Sequence, residues 1–389
     1  MLKQPIYITS LFSTSALGTS GEGFFKDYQN GKHYLTQREI DGHLLWVGAL
    51  PFAAKKAIDA LKASDPKYRK LDDSVLFAIY AARQALAQSK WDNSTNIGIN
   101  IGSSRGATTL FEKYHHEFLK NGAAPARTSP STTMGNISSW VAHDLKTKGP
   151  NISHSITCST ALHSLLNGIA WLQSGLADKF LVGGSEAPLT AFTIAQMKAL
   201  KIYSDAKGDY PCRSLDLTKE RDTMVLGEGA SIAAITTTHQ EGALAQVSGI
   251  GFATEPLTHG ASLSADGICF QDSMRMALGD ISPSEISAIV MHAPGTVQGD
   301  ISEYRAIQKV FGGQLPFLTT NKWKLGHTFG ASGMFSIEMA LLMLRHQKCI
   351  PTPFYEQEEP KKLRYILVNA VGFGGNAVSI LVKDLNAPV

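Results

Sequence analysis

Long apolar runs are missing from this 389-residue sequence. No stretch approaches the ~20 consecutive apolar residues that a membrane-spanning helix needs, so a soluble protein is expected. Cysteine is scarce: four residues, Cys158, Cys212, Cys269 and Cys349, with no CxxC pair among them. That scatter speaks against a disulfide framework or a zinc site and fits a reducing, cytoplasmic compartment. Charge is nearly balanced at +3, too little to imply nucleic-acid binding, though it permits a local basic patch for an acidic partner. No low-complexity linker divides the chain. The beginning, MLKQPIYITSLFSTSALG, has the outline of a signal peptide, but Thr9, Ser10 and Ser13 break its apolar run. A first strand over Ile6 to Leu11 is the expectation there.

What is present is an alternation of amphipathic helices and apolar strands. Leu71, Val75, Ala78, Ile79, Ala82 and Leu86 recur at helical spacing ahead of a strand over Ile97–Gly102. A second stripe, Leu162, Leu165, Leu166, Ile169 and Leu172, stops near Gly175 and precedes a strand over Lys179–Gly184. The second half repeats the plan. Met274–Leu278 closes a helix, Ile286–Met291 is a buried strand, Met334–Leu344 an apolar helix, and Tyr365–Asn369 a strand entering a glycine turn. Such units imply an α/β protein with parallel sheets covered on both faces. The length implies two fused domains or a large two-layer unit, and the layout of the elements puts a boundary near residue 240, between halves 1–240 and 241–389.

Reactive residues fall between these units. Cys158, in SITCSTALHSLLNG, opens the Leu162–Leu172 helix, where free N–H groups and the helix dipole favour a thiolate and can hold an oxyanion. A buried structural cysteine is the alternative at this position. His292 follows the strand Ile286–Met291 in MHAPGT, and His327 lies in NKWKLGHTFG, five residues after Lys322. All three reactive groups are expected at the carboxyl edge of the strands, where α/β proteins gather functional groups. VNAVGFGGNAVSI, residues 368–380, carries glycines that allow close approach to a ligand. It lacks both the GK[ST] ending and the GxGxxG spacing of nucleotide sites.

Cys158, HAPGT, NKxxxGH and GFGG together resemble the β-ketoacyl-carrier-protein synthases, the condensing enzymes of fatty-acid and polyketide synthesis. CRSLDLTKERDTMVLGEGA (212–230) is similar to that family's CRPFDxxRDGFVxGEGA segment, and RKLDDSVLFAIYAARQAL (69–86) to its carrier-proximal helix. The resemblance implies a duplicated thiolase-like α/β/α/β/α fold, with the nucleophile in the first half and both histidines and the GFGG loop in the second. It implies Cys158 as acyl acceptor, the N–H groups of Cys158 and Phe373 as oxyanion hole, and Phe373 also as gate of the acyl pocket. His292 and His327 would hydrogen-bond the malonyl thioester, Lys322 would keep His327 neutral, and Thr296 would hold pantetheine. Lys67, Arg69 and Lys70 match the docking position for an acyl carrier protein. No metal or dissociable cofactor is implied, since phosphopantetheine arrives on its carrier, and the assembly is a homodimer or a heterodimer with a chain-length-factor-like subunit.

The chain departs from that family pattern in several places. Pro294 stands where HGTGT has its first threonine, Asn376 follows GFGG directly, and Ser336 takes the position of a glutamate. Glu338, two residues on, is turned about 200° around the helix. These departures point to a specialised member. A non-catalytic partner subunit would lack Cys158. A thiolase acting on acyl-coenzyme A would have a cysteine in place of Phe373, and an initiating synthase an asparagine in place of His327.

Overall fold

In the computed structural model, which describes residues 2–21, 23–91, 96–134, 136–256 and 263–385, ten of the strands form two five-stranded arrays of identical plan within one sheet. In chain order the first array begins with β1 (Ile6–Ser15) and the short β2 (Gly18–Thr19), which folds back on it. Then come α1 (Phe24–Gln29), the separate hairpin β3 (Thr36–Ile40) and β4 (His43–Val47), α2 (Phe52–Ser64) and α3 (Asp73–Ser89). β5 (Ile97–Gly102) leads through α4 (Thr108–Asn121), α5 (Thr128–Thr132) and α6 (Asn136–Leu145) to β6 (Asn151–Ile152). The array closes with α7 (Thr160–Gln173), β7 (Lys179–Glu186), α8 (Ala191–Ala199) and β8 (Gly229–Thr236).

The second array runs β9 (Ala245–Thr254), α9 (Ile268–Leu278), β10 (Ile286–Val290), α10 (Val297–Phe311) and β11 (Phe317–Thr319). It ends with α11 (Lys322–Leu325), α12 (Ser332–His346), β12 (Tyr365–Gly372) and β13 (Asn376–Lys383). Spatial order is β1-β8-β7-β5-β6 in one array and β9-β13-β12-β10-β11 in the other, the same permutation twice. Ile6–Ile8 of β1 pair antiparallel with Ala245–Val247 of β9 and join the two.

The sheets are mixed, which corrects the expectation of parallel ones. β5, β6 and β7 are parallel, as are β10, β11 and β12, but β1, β8, β9 and β13 pair antiparallel with their neighbours. The cause is plain at β12 and β13: a glycine turn of a few residues leaves no room for the crossover that parallel strands need.

Two helices occupy the middle layer. α7 and α12 bury Leu162, Leu165, Ile169, Met334, Ile337 and Leu341 in one apolar cluster with residues from both arrays. α12 is apolar nearly all round and therefore has no solvent face. α3 and α6 cover the outer face of the first array, and α9 and α10 that of the second. The result is the α/β/α/β/α layering. α3 begins where the Asp72 carboxylate accepts from the Ser74 N–H at 3.0 Å, so Leu71 of the expected stripe lies just outside the helix. α7, by contrast, has no side-chain cap, and the N–H of its first residue, Thr160, donates to the Thr157 carbonyl at 3.3 Å in the turn that carries Cys158.

Candidate active site

Cys158 sits in the tight turn that feeds α7, preceded by Thr157 at φ +44°. A β-branched residue in that left-handed region is strained. Ala293 (φ +28°), beside His292, and Phe329 (φ +42°), two residues past His327, share the condition. Each of the three turns that carry a reactive group thus stores backbone strain, a pattern found at functional sites. The strand before Cys158, β6, has only two residues, and α11 intervenes between β11 and His327, so neither turn is a simple strand-to-helix step.

Gly372 brings the β12–β13 turn onto the Cys158 turn. A Cβ there would come 1.9 Å from Thr157 Oγ1 and 2.7 Å from the Ile156 carbonyl oxygen, so only glycine fits. Phe373 follows, 40% exposed, and its carbonyl accepts from Thr157 Oγ1 at 3.3 Å. Cys158, His292, His327, Thr296, Pro294 and Phe373 all line one cavity of ≈ 340 Å³. Thr296 also caps α10, its Oγ1 accepting from the Gly299 N–H at 3.2 Å. The imidazoles of His292 and His327 are edge to face with centroids 5.3 Å apart. Both rings are buried, and among the described residues neither Nδ1 has a hydrogen-bond partner.

The His292 loop is held by two buried carboxylates that sequence reasoning passed over. Glu303 accepts from the N–H of His292 (2.9 Å) and of Ala293 (2.8 Å), and from Asn369 Nδ2 (3.1 Å). Asp300, one helical turn earlier on α10, accepts from the Gly295 N–H at 3.0 Å and the Leu215 N–H at 2.8 Å, and pairs with Lys219 at 2.6 Å. The signal for this pair is the i, i+3 spacing of two acids just after HAPGT, which puts both on one helix face beneath the loop.

Burial sets the charges. It lowers His292 and His327 well below the ordinary imidazole value, and the Lys322 ammonium adds to the effect on both. Lys322 is itself fully buried and pushed down by desolvation, while Glu303 and Asp300 favour its charge. Lys322 therefore acts on both histidines, not on His327 alone. The expectation of a thiolate at Cys158 is overturned. Burial, helped by the Glu186 carboxylate, pushes the thiol up to about 12, against smaller opposite effects of Lys322 and Arg105. The resting group is a thiol, because a charge 92% shielded from water loses more solvation than a helix end returns.

Lys67, Arg69 and Lys70 are exposed around a 3₁₀ turn ahead of α3 and line no part of the cavity. Lys67 pairs with Asp65 at 3.3 Å. Ser336 is buried, its hydroxyl donating to the Ser332 carbonyl at 3.2 Å. Glu338 points away toward the β1–β2 hairpin, where Ser13 of β1 and Ser20 just past β2 each donate to it at 2.6 Å, as its helical spacing implies. Among the described residues no group of three or more His, Cys, Asp or Glu side chains is placed to hold a metal ion.

The chain as a whole is similar to known proteins. Residues 21–241 match the beta-ketoacyl synthase N-terminal domain, and residues 244–356 the C-terminal domain of the same name. The 3-oxoacyl-[acyl-carrier-protein] synthase 2 of Staphylococcus aureus (strain COL) is 29% identical over 349 residues, 82% of this chain and 83% of that protein. The enzyme of the same name from Vibrio cholerae serotype O1 is 28% identical over 349 residues, 82% of this chain and 84% of its own. Among solved structures, a beta-ketoacyl synthase from Burkholderia phymatum superimposes with TM-score 0.84 at 20% identity, covering 98% of this chain and 100% of that one. A ketosynthase in complex with its chain length factor from Xenorhabdus doucetiae gives TM-score 0.80 at 21% identity, covering 98% of each chain. A type II polyketide acyl-carrier protein in complex with its ketosynthase gives 0.84 at 23%, covering 98% of this chain and 100% of that one. At such identities the structures speak for the fold alone, while the two domain matches span most of the sequence: the chain belongs to the beta-ketoacyl synthase family.

Proposed function

We propose that this chain is a β-ketoacyl-[acyl-carrier-protein] synthase in which Cys158 accepts an acyl group and then gives it up to a decarboxylating malonyl thioester. The observation that carries the reading is the meeting of Cys158, His292, His327 and Phe373 on one cavity, with burial first and Lys322 second depressing both imidazole pKa values. The halves divide the work near residue 240, the first carrying the nucleophile and the second both histidines and the GFGG turn.

In the first step Cys158 Sγ attacks the acyl thioester carbonyl. The oxyanion is held by the N–H groups of Cys158 and Phe373, the carrier's C–S bond breaks, and the thiol proton leaves on the pantetheine sulfur. In the second step the neutral imidazoles donate to the malonyl thioester carbonyl. The bond to the carboxylate breaks, carbon dioxide departs, and its electron pair passes into the enolate. The enolate carbon attacks the acyl carbonyl, the bond to Cys158 breaks, and the thiol takes up one proton. Neutral histidines suit this role, because an imidazolium would pay a large desolvation cost in so closed a site. Thr296 would hold the pantetheine arm beside Pro294, and Phe373 would swing to admit the chain.

The partners carried over are an acyl carrier protein, docking at Lys67, Arg69 and Lys70, and a second subunit, either a copy of this chain or a chain-length-factor-like protein. Support for a subunit contact comes from the exposed Phe111, Phe118 and Leu119 on α4 and from the open edge at β6. The enzyme is proposed to work in the cytoplasm without a dissociable cofactor; no helix among the described residues is long and apolar enough to cross a membrane. The test is intact mass after mixing with acyl-carrier proteins, with Cys158→Ala alongside, followed by malonyl-carrier protein. An adduct that depends on Cys158 and is consumed by malonyl-carrier protein is expected. A protein that never loads, with or without a partner subunit, is not a condensing enzyme.

A further inference from the structure

The short helix that carries Lys322 is held by a second buried lysine, which bond making at Cys158 does not use. Lys324 follows Lys322 on α11, ahead of His327, and is 1% exposed. Its ammonium donates to three oxygens of the segment after α1: the Asn30 carbonyl at 2.6 Å, Asn30 Oδ1 at 3.0 Å and the Lys32 carbonyl at 2.6 Å. The rings of Trp323 and Tyr34 stand beside it, with centroids 4.5 and 5.5 Å from Nζ. Among the described residues no carboxylate forms an ion pair with it.

Burying such a cation is costly unless its donors are met. Burial pushes the Lys324 pKa down to about 7, and the Asp27 carboxylate acts the other way. The three oxygens also favour the charged form. A neutral amine has two N–H groups, and its lone pair would face the third oxygen. The cradle is itself braced. Tyr34 Oη donates to Asp27 Oδ1 at 2.8 Å and accepts from Asn30 Nδ2 at 2.8 Å, which leaves the Asn30 oxygen for the ammonium.

The same segment grips the backbone, since the Tyr34 N–H donates to the Lys324 carbonyl at 2.8 Å. On the far side of Gly326 (φ +82°), His327 is tied to another strand of chain. Its N–H donates to the Val225 carbonyl at 2.7 Å, and its carbonyl accepts from the Gly227 N–H at 3.0 Å. A helix of four residues is too short to hold its own shape, so anchors from outside set its position. We propose that Lys324 is a positioning residue for the condensation step, its cradled ammonium tying α11 to residues 30–34 and so fixing Lys322 and His327 against His292. The proposal rests on the condensing function above. Cys158 stands on the turn ahead of α7, outside this tether, so acyl loading does not depend on it.

The experiment times the two steps separately on the full-length enzyme: loading by intact mass with acyl-carrier protein, and condensation by single turnover of the loaded enzyme with malonyl-carrier protein. Lys324→Met keeps the stem and drops the ammonium; it should slow condensation by about tenfold to a hundredfold and leave loading within about twofold. Asn30→Ala removes one oxygen of the three and should slow condensation by about threefold, so the tether stays testable even if Lys324→Met does not fold. In NMR spectra with isotope-labelled histidine, the imidazole signals of His327, identified with His327→Ala, should move in both variants while those of His154 stay. Condensation at the wild-type rate in both variants, equal losses of loading and condensation, or His327 signals that do not move overturn the tether. A wild type that neither loads nor condenses overturns the condensing function instead, and the His327 signals then still decide whether Lys324 positions that ring.

Discussion

Ahead of α7 the first array carries Cys158, and ahead of α12, the equivalent helix of the second array, stands His327. The loop after β5 presents Arg105, and its counterpart after β10 presents His292. The end of β7 supplies Glu186, where the end of β12 supplies Phe373. Three equivalent pairs of positions thus gather around the site, four of the six residues lining its cavity, and no pair repeats its chemistry. The second array contributes neutral hydrogen-bond donors under the influence of Lys322, on a loop clamped by Asp300 and Glu303. The first contributes a buried thiol under a buried carboxylate. A repeated backbone plan delivers side chains to a place; their identity and local charge decide what happens there.

The sharpest way to break this division is to remove one member from each side. Cys158→Ala should abolish acyl loading outright. His292→Ala should still load yet condense roughly 10²–10³ times more slowly, the usual cost of one oxyanion donor. Single-turnover assays of each step would separate the two, and a His292→Ala enzyme that cannot load would dissolve the division of labour.

The next effect concerns how each loop is braced. Asp300→Asn leaves Lys219 buried without its partner and should destabilise the fold by about 3–5 kcal/mol in urea unfolding. Glu186→Gln weakens hydrogen bonds from the Ser104 and Gly330 N–H groups and from serine side chains, with no buried ion pair lost, and should cost about 1–3 kcal/mol. Equal losses would mean that the ion pair in the second array has no special weight.

Glu186→Gln has a second, smaller readout. With its negative charge gone, the Cys158 pKa should fall, and the pH profile of iodoacetamide alkylation should move to lower pH. A profile that moves for Glu303→Gln and not for Glu186→Gln would contradict the charge assignment.

The smallest effect lies away from the site, at Glu338, whose carboxyl is raised from 4.5 to about 7 by burial. The folded state keeps a proton there that the unfolded chain gives up, so this group's contribution to stability is full below about pH 4.5 and is lost as pH rises through 7. Glu338→Gln should flatten that part of the curve while acyl loading stays unchanged. Unfolding midpoints at about pH 5 and pH 8 compare the two proteins. A wild type whose stability does not fall relative to the variant over that interval would show that Glu338 is ionised throughout.

Much of this was legible in residue order. The strands Ile97–Gly102 and Ile286–Val290 and the helices α7 and α12 announce themselves by apolar run or stripe, because burial on a helix or sheet face imposes that period. Cys158, His292 and His327 stand out by motif. What escaped was whatever depends on groups distant in the chain. The antiparallel neighbours β1, β8, β9 and β13 are as apolar as parallel strands, since both faces are covered either way. Glu303 and Asp300 look like ordinary helix acids until the His292 loop is laid over them. Arg105 looks like a loop charge until Phe329, 224 residues later, is found under it.

Local order alone determined the alternation of helices and strands, through periodicity, and the candidate reactive groups, through the chemistry of single side chains; the duplicated plan and the family were legible through the resemblance of the motifs to known condensing enzymes. Only the tertiary structure decided the state of those groups. Whether Cys158 rests as a thiol and whether both histidines are neutral depend on desolvation and on charges from remote segments. Those energies exist only once the chain has excluded water and brought the segments together.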